Sequence, residues 1–579
     1  MEPHPRPVFR ERARGAFVGG LLAFLAAIVW PAVVLAGHDA KPVQLIEELP
    51  TLKCLGVRWI VAGDDNRNAE VTVAYRRLTS LGSDGDWKRG PNLFRVQSEA
   101  ILEPNRPAAG QTMFAGSIFD LDEDTEYELK LVLHDPDGVD AARGDAEHIV
   151  RMKTWSEPRH PVGGKTIEVR PGQLQQALRD ARPGDTLRLH AGVYTGPFGP
   201  PSGAPEQPIA ILGAGDGPAI LDGQGGGAVI SQSGLHDVIL ENLTIRNAEY
   251  GIAVNEAARI TVRRCTIADV DYGFVATRNG PVQQHIYIAD NVLIGRSRWP
   301  RSEGIEDRRG VQLAGTGHVV CYNRISRFGD AIDTFSVYPC ASIDFYGNEI
   351  SECTDDGIEM DYSEHNTRCF DNRLTNVFQG ISAQPIHGGP VYIFRNAMYN
   401  VGMETFKLHN SPSGVLLLHN TSVKSGMPLM LLTSETVTNC VSRNNLFVGT
   451  TANYGYENMA RMRGCDFDYD GFGGQWKLFM KFNGERYASM DDARQNAPAY
   501  RHAVRVDPAT LFVSGLQPPA DVAVQFRVEQ NDLRLAAKST AIDAGIAIPG
   551  INDNFRGKAP DLGVYEVGVQ LPHYGPRTK

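Results

Sequence analysis

Between residues 330 and 409 the chain gathers side chains able to move protons or hold a cation. They are Asp333, Asp355, Asp356, Glu359 and Asp361, then Lys407 and His409, with Asp330 just upstream. Two kinds of chemistry use such a set. Paired carboxyls hydrolyse a glycosidic bond, and Asp333, Glu359 and Asp361 could supply the acid and the base. A separation of roughly 6.5–9.5 Å goes with inversion and about 5–5.5 Å with retention. Alternatively, a carboxylate cluster holds a hard cation such as Ca2+ against a uronate carboxylate while a base removes the adjacent proton, a β-elimination. In either case Gln384, His387 and His409 would line subsites. Arg308 and Arg309, in the arginine-rich stretch that also holds Arg296, Arg298 and Arg301, would grip a substrate carboxylate or sulfate.

These residues need a scaffold that brings them together, and an internal repeat supplies it. Asn323, Asn348, Asn372, Asn396, Asn420 and Asn444 recur at separations of 25, 24, 24, 24 and 24 residues, with a weaker copy at Asn291. Each interval contains a short apolar strand of the type Gly251-Ile-Ala-Val, Gly310-Val-Gln-Leu, Gly357-Ile-Glu-Met or Gly380-Ile-Ser-Ala. A period in the low twenties built from strands, without the dense leucines of a leucine-rich repeat, means an all-β solenoid, a right-handed parallel β-helix. The asparagines read as stacked turn ladders. Coils in such a fold lie about 4.8 Å apart and alternate side chains face outward. Aligning the strands gives one outward column, Ala253, Val275, Gln312, Asp333, Glu359, Ser382, Lys407, and a second, Asn255, Thr277, Ala314, Phe335, Asp361, Gln384, His409. Asp333 and Glu359 become direct neighbours, a repulsive pairing that has a purpose when a cation or a raised carboxyl pKa relieves it. Lys407 falls two coils, roughly 10 Å, from Glu359.

The repeat occupies residues 165–568. Leu174, Ala177, Leu178 and Ala181 have helical spacing before Pro183-Gly184-Asp185 and predict a helix capping its first coil, while Leu533–Tyr565 reads as an irregular closing cap. Ahead of it, residues 45–157 alternate like the strands of a small β-sandwich. The segment Leu121-Asp-Glu-Asp-Thr125-Glu-Tyr127-Glu-Leu129 resembles the tyrosine corner of fibronectin type III domains. That resemblance implies a spacer or binding module. Residues 1–36, with Arg6, Arg10, Arg12 and Arg14 before the apolar run Ala16–Ala36, read as a secretory signal cut after Ala36. This predicts a secreted or periplasmic protein with no stable membrane insertion after cleavage, the alternative being an uncleaved anchor that still exports the rest; a monomer is expected.

With 579 residues, 42 % hydrophobic and 22 % charged, the chain is neither a single small domain nor disordered. Its formal net charge is −11, and losing the four Arg and two Glu of residues 1–36 leaves −13, which argues against a nucleic-acid partner. None of the eight cysteines forms a CxxC pair, so a zinc ribbon has no support. There is likewise no nucleophile elbow or dinucleotide fingerprint.

One local similarity bears on the reaction. Asp355-Asp356-Gly357-Ile358-Glu359, with Asp330 or Asp333 one coil earlier and Phe406-Lys407-Leu408 downstream, resembles the family nine pectate lyases. The resemblance implies Ca2+ on Asp333, Asp355, Asp356 and Glu359, and Lys407 as the base. Together these readings give an enzyme that cleaves an extended anionic polysaccharide, by β-elimination ahead of hydrolysis. A non-catalytic glycan-binding adhesin is the third class.

Overall fold

A single buried column of amides runs through most of the molecule. Asn291, Asn323, Asn348, Asn372, Asn396, Asn420 and Asn445 are all fully buried. Each side-chain amide donates to the next oxygen at 2.9–3.0 Å. Asn445 passes the same bond, at 3.0 Å, to Asp470. Each amide also donates to a backbone carbonyl of the preceding coil, Val262 through Leu417, so no donor in the column is left unpaired. The ladder uses Asn445 where the spacing pointed to Asn444. Asn444 adopts a left-handed φ of 58° and instead donates to His419 Nε2 and to the Ile546 carbonyl.

The computed structural model describes residues 37–578 apart from 80–81, 141, 143, 145, 278–282, 303 and 336–339. The signal expected over 1–36 lies outside the described residues. From Thr166 onward the chain winds into a right-handed β-helix. A 13-stranded parallel sheet runs from Thr166–Val169 to Asp466–Phe467, and a 19-stranded sheet from Gly192–Thr195 to Val504–Val506. The core is a set of inward columns, of which Ile252, Phe274, Val311, Ile332, Ile358, Ile381 and Phe406 stand in register and are all but fully buried. The glycine that precedes most of these residues is required by proximity. A Cβ on Gly310 would lie 2.4 Å from the Ala331 carbonyl, and one on Gly380 would lie 2.3 Å from that of Thr405.

The helix Leu174–Asp180 buries Leu174 and Leu178 against the first coil. At the other end the cap differs from the one expected. The hairpin Gly471–Phe482 with Glu485–Tyr487 and the helix Met490–Asn496 close the last coil. Residues beyond 506 instead lie along the flank of the solenoid. Phe526 accepts from Asn376 at 2.7 Å, Val564 donates to Thr421 at 2.9 Å, and Arg577 pairs with Asp290 at 2.7 Å. Leu511, Phe512, Leu533, Leu562 and Tyr565 there cover outward apolar residues Tyr399, Val423, Leu446 and Val448, which would otherwise face water.

The N-terminal strands form two four-stranded antiparallel sheets, one containing Leu55–Ala62 and Gln111–Ile118, the other Glu70–Thr79 and Glu126–His134. They close over Trp59, Phe114, Leu129 and Leu131. The Tyr127 hydroxyl accepts from the Asp122 N–H at 3.0 Å. This sandwich is packed on the solenoid. Phe119 stacks edge-on against Tyr392 and Phe394. Fully buried Arg368 pairs with Asp344 at 2.5 Å and donates to Ser117 of the sandwich at 3.0 Å. No helix among the described residues is long and apolar enough to cross a membrane.

Candidate functional site

Each coil of the larger sheet presents two outward residues, one just before the crowded glycine position and one three residues later. The later column pairs Ala253 with Val275, then Gln312, Asp333, Glu359, Ser382 and Lys407, in unbroken register. The earlier column pairs Tyr250 with Tyr272, Arg309 and Asp330. It continues through Asp356, whose N–H donates to Asp330 at 2.7 Å, and pairs on to Gln379. Glu404 follows, its N–H donating to the Gln379 side chain at 2.7 Å.

Lys407 does not stay two coils away. The residue between it and Glu359 is Ser382, so the lysine side chain lies back across a short neighbour. Its Nζ is 2.6 Å from Asp356 Oδ2 and 3.7 Å from Glu359 Oε1. Counting backbone spacing alone missed the length of the lysine stem. Arg309 closes the other side, 2.7 Å from Asp330 and 3.2 Å from Asp333, and Gln312 donates to Asp333 at 2.5 Å.

Burial and mutual repulsion dominate the electrostatics. Burial, then the charges of Asp330, Asp361, Asp333 and Asp356, pushes Glu359 well above the usual glutamate range. Asp330 is raised in the same way, with Arg309 opposing and Asp356 adding. Burial also raises Asp333 and Asp361. For Lys407 burial opposes the charge, but Asp356, then Glu359 and Asp361, outweigh it and hold the ammonium above the usual lysine value.

The carboxylates that meet are not the four named by the motif. Oxygens of Asp330, Asp356 and Glu359 lie within 4.8 Å of one another. Asp356 Oδ1 is buried and has no hydrogen-bond partner among the described residues. Asp355 turns to Arg301 at 3.2 Å, and Asp333 is held by Gln312 and Arg309, so neither belongs to the triplet. The carboxyls of this face outnumber its cations, Arg301, Arg309 and Lys407, and the triplet is all hard oxygen. Such a donor set fits a divalent cation of the Ca2+ kind.

Other expected roles change on the structure. Arg308 is paired with Asp271 at 2.9 Å and Glu306 at 2.8 Å, and Arg309 is committed to Asp330 and Asp333, so neither is a free grip for an anion. Asp361 accepts from the Ser382 hydroxyl at 2.8 Å and the Gln384 N–H at 2.9 Å, and so fixes the strand beside it. His387 sits in the turn that meets the sandwich, where a Cβ on Gly388 would lie 2.9 Å from Val96 and Ile101. It does not line the groove. Ala314 is inward and fully buried, leaving Phe335, Asp361, Gln384 and His409 as the later members of the second column. His409 Nε2 is 2.9 Å from Glu404. Glu404 is absent from the two outward columns aligned from the sequence. The signal was the three-residue step shared by Asp330/Asp333, Asp356/Glu359 and Glu404/Lys407.

Residues 220–384 match the family model described as the right handed beta helix region. No curated protein matches the chain. Among solved structures, a crystal structure of alginate lyase from Paenibacillus sp. str. FPU-7 is similar at 16 % identity and a TM-score of 0.27. The match covers 52 % of this chain and 97 % of that one.

Proposed function

We propose that the groove over Asp333, Glu359 and Lys407 cleaves an extended polysaccharide carrying uronate groups, by β-elimination. The observation that carries this reading is Lys407, whose Nζ lies 2.6 Å from Asp356 and 3.7 Å from Glu359. A base candidate and a cation-compatible carboxylate triplet thus share one face within hydrogen-bond range. Asp330, Asp356 and Glu359 would hold the divalent cation, and its chemistry would be to neutralise the uronate carboxylate and so acidify the neighbouring C–H. Arg309 holds Asp330 and Asp333 in place. Lys407 takes the proton once Asp356 and Glu359 no longer fix its charge. An anionic chain could not enter an uncompensated acidic groove, so substrate and cation belong together. We also propose that the protein is exported and acts as a monomer.

Hydrolysis is the second reading, favoured by one observation. Glu359, held well above its usual range and in register with Asp333, has the character of a general acid beside a second carboxyl. Incubation with a panel of uronic-acid polymers, with and without a chelator, separates the readings. Elimination makes reducing ends and the ultraviolet absorbance of a conjugated uronate rise together, and a chelator stops both. Hydrolysis releases reducing ends with no new absorbance and is lost in Glu359→Gln. Binding with neither signal points to an adhesin.

A further inference from the structure

We propose that His409, positioned by Glu404, is the acid that protonates the departing sugar oxygen; the proposal rests on the elimination reading above. Glu404 is 1 % exposed and anchored at every point. Its N–H is held by Gln379 and its carbonyl accepts from Gly380 at 2.9 Å. Its Oε1 takes the N–H of Leu432 at 2.7 Å, and its Oε2 meets His409 Nε2 at 2.9 Å. A carboxylate fixed in this way orients an imidazole and fixes which ring nitrogen faces it. The ring itself is partly open, with 27 % of the side chain exposed. Among the described residues its Nδ1 has no hydrogen-bond partner. Leu408, between Lys407 and His409, is buried in the core, so its two neighbours face outward together. Two residues of extended chain set them about 7 Å apart along the strand. That spacing lets one residue work on a ring carbon and the other on the oxygen leaving it.

Glu404 is the charged group in contact with the imidazole, and Lys424 lies near Glu404. Lys424 donates to the carbonyls of Ser425 and Met427 at 3.0 and 3.1 Å. Burial lowers it to about 8 against the pull of Glu404. In the step, the C5 proton of the uronate passes to Lys407. The C–H electron pair becomes the C4–C5 double bond, the C4–O bond breaks, and its oxygen leaves with the proton of the His409 imidazolium. Solvent water then reprotonates His409 and takes the proton from Lys407.

The test compares the uronic-acid polymer of the panel that wild-type protein converts to unsaturated product with a synthetic uronate whose 4-oxygen carries a nitrophenyl group, a leaving group that needs no proton. His409→Gln, a change at an exposed side chain, should lower kcat on the polymer by about 10²-fold or more. On the activated substrate it should stay within a few-fold of wild type. Glu404→Gln removes the negative charge behind the ring. It should lower kcat on the polymer and leave the activated substrate within a few-fold of wild type, a split that a purely structural role would not give. Equal losses on both substrates, or no loss on either, overturn the assignment of His409. Failure of wild-type protein to make any unsaturated product overturns the elimination reading and this role with it. Unsaturated product formed at full rate by His409→Gln overturns this role alone.

Discussion

Replacing Asp470 by asparagine should stabilise the protein, and only above acidic pH. Asp470 ends the amide ladder. Its Oδ1 accepts from the Asn445 backbone N–H at 2.7 Å and from the Asn445 side chain at 3.0 Å, and its Oδ2 accepts from the Ser442 hydroxyl at 2.5 Å. These bonds would favour the anion, yet burial wins and raises the group from 3.8 to about 7. Because the folded state holds the proton more tightly, its contribution is fully present below about pH 4. It is lost progressively as pH rises to 7 and is level beyond that. Three pH units at 1.36 kcal/mol each amount to about 4 kcal/mol. The substituted amide would keep the acceptor that the ladder needs and carry no charge to desolvate. Chemical denaturation followed by circular dichroism at pH 5 and pH 8 measures the difference. Between those two values Asp470→Asn should gain about 2–3 kcal/mol over wild type. A variant whose stability keeps the wild-type pH dependence, or falls below wild type at pH 8, would refute the argument that desolvation outweighs the three hydrogen bonds.

Other substitutions probe the scaffold and the site. Gly380→Ala places a methyl 2.3 Å from the Thr405 carbonyl and should lower the unfolding free energy by about 1–3 kcal/mol or more, read by thermal melts. Arg368→Met strands the buried Asp344 charge and should cost about 3–5 kcal/mol, while Arg368→Met with Asp344→Leu should recover most of it. Lys407→Ala should reduce elimination by about 10²-fold or more while the circular dichroism spectrum is unchanged.

The solenoid was legible because its evidence is local and repeated. A recurring asparagine and a recurring glycine set the phase of the strands, and phase alone places Asp333 beside Glu359. What the phase does not carry is how far a side chain reaches or what folds over it. Lys407 meets the acidic cluster because Ser382 is short. Arg308 and Arg309 are neutralised because the stretch after Gly295 folds back onto Asp271 and Asp330. The tail escaped for a related reason. Its partners, such as Asn376 and Thr421, lie more than a hundred residues away, and no periodicity links them. Asn444 and Asn445 are adjacent asparagines, and only the extra residue in that coil decides which one points inward.

Mass spectrometry of the products tests the central claim most directly. Elimination of a uronate polymer by the wild-type protein should give two oligosaccharides whose masses sum to that of the parent, the new non-reducing end one water lighter than a hydrolytic product. The Lys407→Ala protein should form these fragments about 10²-fold more slowly or not at all. Fragments that have gained a water, or unsaturated fragments formed at the wild-type rate without Lys407, would contradict the account.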